Sequence, residues 1–194
     1  MDHKEVFTDI YNHNRWGGSG GGSMPEVTGE YRAYIDFFIK EKNIKHVIYY
    51  GCGDWAFSKL IDWSHVSYTG VDCVQSVVDK NNQQFARENI KFVCSSVLPV
   101  QENCELLILK DILQHWTNQQ VADFLFITSK IYKYILITNT SNQSQDNPID
   151  TDPHVHTRAL SASFLPLKEF NPVIVLETNI NEPKQTSLIT NLNL

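Results

Sequence analysis

The sequence predicts an α/β protein, a mostly parallel sheet with helices on both faces and an antiparallel hairpin at its C-terminal end. Three observations carry this reading. Apolar runs recur at Val47–Tyr50, Val66–Val71, Ile90–Cys94, Glu105–Leu109 and Tyr134–Thr138, and unbroken apolar strands are those buried on both faces of a parallel sheet. Segments of helical length separate several of these runs. After the fifth, two β-rich stretches, Val173–Thr178 and Thr186–Thr190, flank the turn Asn179–Lys184 and read as a hairpin.

Taken in order, Phe7, Ile10, Tyr11 and Trp16 recur at roughly helical spacing, so the chain is structured ahead of its glycine-rich run. That run, Trp16-Gly17-Gly18-Ser19-Gly20-Gly21-Gly22-Ser23, reads either as a flexible linker or as a folded loop whose amides hold an anion. Residues 1–26 form an N-terminal helix and Gly-rich segment, and 27–194 the main domain. From Val27 to Lys42, Tyr31, Tyr34, Ile35, Phe38 and Ile39 recur at three and four, an amphipathic helix stopping at Asn43. Further helices are predicted over Phe57–Trp63, Val74–Arg87 and Asn118–Ile131, the last with Val121, Leu125 and Thr128 on one side. Ser141–Arg158 is polar and rich in Asn, Asp and Pro, a long loop of the kind that carries function.

Composition excludes several functions. The 194 residues carry 16 Lys and Arg against 22 Asp and Glu, a net charge of -6, which argues against a dedicated nucleic-acid surface. No apolar run approaches the roughly 20 residues that span a bilayer, and the polar first residues are no secretory signal, so no membrane insertion and a cytoplasmic location are expected. The four cysteines, Cys52, Cys73, Cys94 and Cys104, form no C-x-x-C pair, which leaves free thiols in a reducing compartment.

Chemistry-bearing residues cluster where strands end. Gly51-Cys52-Gly53 closes the first strand, and glycines there let a ligand approach the backbone beside the following element. Asp72 ends the second strand 19 residues after Gly53, the spacing at which a carboxylate takes a ribose hydroxyl pair; an ordinary helix cap is its bland reading. Cys52, Cys73 and Cys94 fall at successive strand ends and read as small residues lining one wall. After the fourth strand, Asp111 and His115 stand four apart, so on a helical turn they share a face, with His115 a base near neutrality and Asp111 its orienting group or the base itself. In the late loop, His154 and His156 alternate as on an extended segment, and Arg158 is suited to a polar acceptor. Asp111, His115 and His154 make a weak alternative metal set; no metal is favoured.

These motifs together resemble class I S-adenosylmethionine-dependent methyltransferases, and within them a compact group with W-G-x-x-S-G-x-G-S, C-G-D-W/F and K/R-D-x-L-x-H motifs. Here the three read Trp16 to Ser23, Cys52-Gly53-Asp54-Trp55, and Lys110-Asp111-Ile112-Leu113-Gln114-His115. The resemblance implies a Rossmann-like, seven-stranded sheet with a reversed last hairpin. It implies S-adenosylmethionine held by Trp16, Gly18, Ser19, Ser23, Gly51, Cys52, Gly53, Trp55, Asp72, Cys73, Ser95, Ser96 and Lys110, with the Gly-rich segment folded over it. Lys110, Asp111 and His115 are then the catalytic set, and His154, His156 and Arg158 face the acceptor. Two departures stand out. Tyr49 occupies a position that is usually acidic and holds the methionine ammonium, for which Asp54 is a substitute, and Ser95-Ser96 replace the acid at the adenine.

The resemblance implies in-line methyl transfer to a hydroxyl of a small-molecule or glycan acceptor, and it fits one domain of a larger glycan-processing protein. Methylation of protein or nucleic acid is the rival enzyme reading, and a degenerate nucleoside-binding module without chemistry is the rival of another class.

Overall fold

A computed structural model describes residues 3–99, 104–141 and 158–192. Its strands are β1 (His46–Tyr50), β2 (Ser67–Asp72), β3 (Ile90–Cys94), β4 (Leu106–Lys110), β5 (Tyr134–Thr140), β6 (Val173–Asn179) and β7 (Pro183–Thr190). They form one seven-stranded sheet in the order β3-β2-β1-β4-β5-β7-β6. The chain divides into two compact units, Met1–Glu105 and Leu106–Leu194.

In the first unit, β1, β2 and β3 run parallel, with His46 opposite Ser67 and Tyr68 opposite Ile90. Its helices are α1 (His3–Asn12), α2 (Gly29–Glu41) and α3 (Gln75–Phe85). The apolar face expected of α2 is buried through Tyr31, Ile35, Phe38 and Ile39, each such side chain contributing about 1.5–3 kcal/mol. Asn43 ends it in the left-handed region, with φ +51°, a conformation asparagine tolerates better than most residues.

The helix expected over Phe57–Trp63 does not form; only a short 3-10 turn, Ser58–Leu60, is present. Continuing the helix would require the Ser58 carbonyl to accept the Asp62 N–H. Instead the buried Trp63 Nε1–H donates to that carbonyl at 2.7 Å, and the Asp62 N–H donates to Asp36 Oδ1 at 3.0 Å. The indole takes the acceptor the helix needed.

In the second unit β4 and β5 are parallel, with Lys110 opposite Thr138, while β7 runs antiparallel to both β5 and β6. The helix α4 (Asn118–Thr128) begins in a capping box: the Gln120 N–H donates to Thr117 Oγ1 at 3.1 Å and the Thr117 N–H to Gln120 Oε1 at 2.9 Å. Such reciprocal caps contribute about 1 kcal/mol. Val121, Leu125 and Thr128 are its buried face, as their spacing predicts. Among the described residues no helix is long and apolar enough to cross a membrane.

Candidate active site

Two constellations emerge, one in each unit. The first is centred on the loop after β1. Gly51 and Gly53 have φ of +71° and +56°, and the Gly51 and Cys52 N–H groups both donate to the Val71 carbonyl, at 2.7 and 3.0 Å. Asp72 closes β2 with its carboxylate buried beneath this loop: Oδ2 accepts the Gly53 N–H and Oδ1 the Val74 N–H, both at 3.0 Å. Burial pushes the Asp72 pKa up, against the lowering effect of the Val74, Gly53 and Cys73 amides. Asp72 therefore anchors the glycine loop and, through the Val74 amide, the turn that leads into α3. From α3, Asn81 Nδ2–H donates to the Gly53 carbonyl at 2.8 Å.

The glycine-rich run is not a loose linker. Its Ser19 Oγ is 2.7 Å from the Tyr11 hydroxyl, donates to Asp54 Oδ1 at 2.8 Å and accepts the Asp54 N–H at 2.8 Å. The Ser19 N–H reaches Asp54 Oδ2 at 3.2 Å. Contact is so close that a Cβ on Gly53 would lie 2.3 Å from Ser19 Oγ, and one on Gly18, with φ +96°, 2.4 Å from Asp54 Oδ2. Burial, and after it the Asp72 charge, raises the Tyr11 pKa far above the ordinary phenol value, so Tyr11 stays a neutral donor. Gly18 and Ser19 thus meet Asp54, while Ser23 lies in the turn Gly21–Ser23 with its N–H on the Gly20 carbonyl.

The remaining expected cofactor residues fall in different surroundings. Trp16 is exposed and sits edge-on to Phe7 at 5.9 Å. Trp55 is a core residue, packed among Tyr68, Phe85 and Phe92 with ring centroids 5.6, 5.0 and 5.2 Å away. Cys52 is buried, and that burial raises its thiol pKa. This removes it from nucleophilic chemistry, whereas Cys73 is half-buried. The Ser95 N–H donates to the Asp72 carbonyl at 2.9 Å, and Ser96 offers its own carbonyl to the Tyr50 hydroxyl at 2.7 Å. Tyr50, whose pKa burial pushes up to about 12, ties the end of β1 to the turn after β3. Sequence reasoning treated it as one more apolar strand residue.

The second constellation begins at the end of β4. Asp111 takes φ +57°, a left-handed conformation that costs a non-glycine residue about 1–3 kcal/mol. The next regular turn is Leu113–His115, so the helical face that Asp111 and His115 were expected to share does not form. Asp111 pairs instead with two ammonium groups: Lys110 Nζ is hydrogen-bonded to its Oδ2, and Lys184 Nζ lies 2.6 Å from its Oδ1. Lys184 also meets Glu182 at 2.8 Å and Thr140 Oγ1 at 3.1 Å, and the Thr140 hydroxyl donates to Glu182 Oε2 at 3.2 Å. Burial pushes the Asp111 pKa up, but the Lys110 and Lys184 charges outweigh it and hold it below the ordinary carboxylate value. Burial lowers the Lys110 pKa, and Asp111 only partly restores it. Lys184 is held above its ordinary value, because Asp111 and Glu182 overcome the opposing effect of burial.

His115 is buried. Arg158 is buried too, with Nη1 donating to Asn118 Oδ1 and Nη2 to the Trp116 carbonyl, both at 2.7 Å; it clamps the start of α4. His154 and His156, most of the Ser141–Arg158 loop, and with them the alternative metal set, lie outside the described residues. Among the described residues no group of three or more His, Cys, Asp or Glu is gathered for a metal. Nothing in the sequence marked Lys184, since its partner Asp111 lies 73 positions away.

No family model matches the chain, and neither does any curated protein. Solved structures do match its fold. The N-methyltransferase NodS from Bradyrhizobium japonicum WM9, in complex with S-adenosylhomocysteine, superposes with a TM-score of 0.71 at 11% identity, over 98% of this chain and 100% of the other. The 1,6-didemethyltoxoflavin-N1-methyltransferase of Burkholderia thailandensis gives 0.70 at 12% identity, over 97% and 86%. Magnesium protoporphyrin IX methyltransferase from Synechocystis PCC 6803 gives 0.67 at 10% identity, over 98% and 100%. The chain has the class I methyltransferase fold, a mostly parallel seven-stranded sheet ending in an antiparallel hairpin.

Proposed function

We propose that this chain is an S-adenosylmethionine-dependent methyltransferase that transfers a methyl group to a hydroxyl of a small or glycan acceptor. The observation that carries the reading is the buried Asp72 carboxylate at the end of β2, bonded to the amide of Gly53 in a glycine loop with left-handed backbone. A carboxylate offers about four acceptor positions, so the loop amides do not exhaust it, and a ribose diol suits what remains. Solved methyltransferases of the same fold contain S-adenosylhomocysteine or S-adenosylmethionine, and two are named for small-molecule acceptors, magnesium protoporphyrin IX and 1,6-didemethyltoxoflavin.

Around Asp72, Gly51 and Gly53 present backbone to the donor, and Ser95 with Ser96 stands where an adenine would be read. Asp54 takes the place of the absent acid at Tyr49: its carboxylate accepts Ser19 N–H and Oγ–H, and a methionine ammonium is a stronger donor for the same oxygens. The N-terminal segment meets this position through Ser19 and Tyr11. When bound, the sulfonium supplies the electrophilic methyl group; the protein binds and aligns the reactants and provides for the acceptor's proton. Trp55 and Arg158 have packing and clamping contacts that account for them without a ligand.

Calorimetry with S-adenosylmethionine and S-adenosylhomocysteine tests the reading. The unaltered chain should bind both, and Asp72→Asn should weaken both about 10–100-fold, the loss of one hydrogen bond to a charged group at about 1.5–3 kcal/mol. Unchanged affinity in the variant would remove Asp72 from the ribose. Binding without methyl release on a panel of sugars and glycans would favour the binding-module reading, which the absent acids at Tyr49 and Ser95 motivate.

A further inference from the structure

Two of the four cysteines lie where β2 and β3 end, and burial does not seal them. Cys52 and Cys104 are buried, whereas Cys73 and Cys94 are half-buried. The Cys52 thiol stays on its own loop, 3.7 Å from the Gly53 carbonyl. Cys104 meets the His46 carbonyl at 3.6 Å, at the amino end of β1. Cys94 is directed at its neighbour: its thiol donates to the Cys73 carbonyl at 3.6 Å. Both residues belong to the first unit.

Strand register brings the pair together. Asp72 and Cys94 are partners across the parallel strands β2 and β3, and the Ser95 N–H donates to the Asp72 carbonyl at 2.9 Å. Cys73 stands one residue past Asp72. Neighbouring strands lie about 4.8 Å apart and consecutive Cα atoms about 3.8 Å, so the Cys73 and Cys94 Cα atoms are about 6 Å apart. Disulfides span Cα separations of about 4.4–6.8 Å. The backbone separation thus suits a bond, and forming it costs Cys94 one weak S–H···O contact. Half-burial leaves both residues within reach of a small oxidant.

We propose that Cys73 and Cys94 form an oxidation site, at which a hydroperoxide such as hydrogen peroxide converts the two thiols to a disulfide. One sulfur attacks the peroxide, an S–O bond forms as the O–O bond breaks, and the first water leaves. The second sulfur attacks that sulfenic acid, the S–S bond forms as the S–O bond breaks, and the second water leaves. The two sulfurs give up two electrons, which reduce the peroxide, and both thiol protons end in the waters. The bridge joins the turn after β2 to the end of β3, between Asp72 and Ser95. Its consequence rests on the methyltransferase reading: there the bridge stands between the places assigned to the ribose and the adenine. The crosslinked chain is then closed to the donor until a thiol reductant reopens it.

The test treats the full chain with equimolar hydrogen peroxide, blocks remaining thiols with iodoacetamide, and maps the digested peptides by mass spectrometry. A linked Cys73–Cys94 peptide pair should be the main disulfide. It should be absent in Cys73→Ser and in Cys94→Ser, kept in Cys104→Ser, and removed by dithiothreitol. By calorimetry the crosslinked chain should bind S-adenosylhomocysteine at least about tenfold more weakly than the reduced chain, at unchanged circular dichroism, and dithiothreitol should restore the affinity. A main disulfide between other cysteines, or oxidation of these two without a crosslink, overturns the oxidation site. Equal affinity in the two forms overturns the closure, as does weaker binding that comes with a lost dichroism signal. Failure of the reduced chain to bind either S-adenosylmethionine or S-adenosylhomocysteine overturns the methyltransferase reading and the closure with it, while the peptide map still decides the oxidation site.

Discussion

Substituting alanine for glycine at position 53 tests whether the N-terminal segment is latched to the β1 loop as described. Two costs are visible. Gly53 sits at φ +56°, where an L-residue with a Cβ is penalised by about 1–2 kcal/mol. The new Cβ would lie 2.3 Å from Ser19 Oγ, so that hydroxyl must leave. With it go its contacts to Tyr11, to Asp54 Oδ1 and to the Asp54 N–H, at about 0.5–1.5 kcal/mol each. Ser19→Ala deletes the same three bonds directly, for about 2–3 kcal/mol, and Gly53→Ala should cost about 3–5 kcal/mol in all. Because the second cost is shared, the double variant should be no worse than Gly53→Ala alone, a coupling of about 2–3 kcal/mol. Urea denaturation of the four proteins measures this, and trypsin cleavage after Arg15 reports the segment's release. Additivity within about 0.5 kcal/mol would show that Ser19 and Gly53 do not meet and would refute the latch.

Other perturbations separate the two constellations. Asp111 is held below its unfolded value, so its contribution to stability is present above about pH 4 and is lost as pH falls through the folded value. Asp111→Asn should therefore be less stable than the unaltered chain at neutral pH, by about 3–5 kcal/mol for a broken buried pair, with the gap closing in acid; a pH-independent gap would contradict the pairing. Arg158→Ala should lose about 2–4 kcal/mol of stability through its two charge-assisted bonds and leave S-adenosylhomocysteine affinity within about threefold, whereas a weakened affinity at unchanged stability would return Arg158 to a ligand. Tyr50→Phe frees the Ser96 carbonyl and should weaken S-adenosylmethionine binding about 3–10-fold, near 1 kcal/mol for one hydrogen bond, measured by calorimetry against Asp72→Asn.

The sheet was readable because its signal is local. Val47–Tyr50, Val66–Val71 and Ile90–Cys94 are apolar at nearly every buried position, Thr69 being the polar exception, and each falls within a residue or so of β1, β2 and β3. The same holds for α2 and its stop at Asn43. What failed needed knowledge of a distant partner. The Phe57–Trp63 helix yielded to a tryptophan that claims the Ser58 carbonyl and an aspartate from α2 that claims the Asp62 amide. Asp111 and His115 look like a helical pair until Asp111 turns left-handed to reach Lys184, a residue of the last strand. The place of Asp72 at the end of β2 was legible from its spacing to Gly53, whereas its bond to the Gly53 amide was not. Ser19 was half-legible: the motif placed it at the cofactor, but its Asp54 contact and the core position of Trp55 depend on packing that no spacing encodes.

The two strand-end carboxylates show how environment divides one functional group into two roles. Asp72 is buried among backbone amides, and among the described residues no cation offsets that burial, so its pKa rises; its carboxylate oxygens are suited to accepting hydrogen bonds from neutral hydroxyls. Asp111 is half-buried, and two ammonium groups outweigh its burial and keep it anionic, which suits it to stabilising positive charge rather than taking protons. Their linkage signs are accordingly opposite. The Asp72 contribution favours the folded state at low pH and is lost as pH rises through its folded value, while the Asp111 contribution is lost on the way down. On the proposed function a ribose diol belongs with the first carboxylate, whereas the second is already matched to the ammonium groups of Lys110 and Lys184. Exchanging those assignments would place a neutral ligand on a carboxylate already held by two ammonium groups, and would ask a carboxylate held by backbone amides to balance a cation alone.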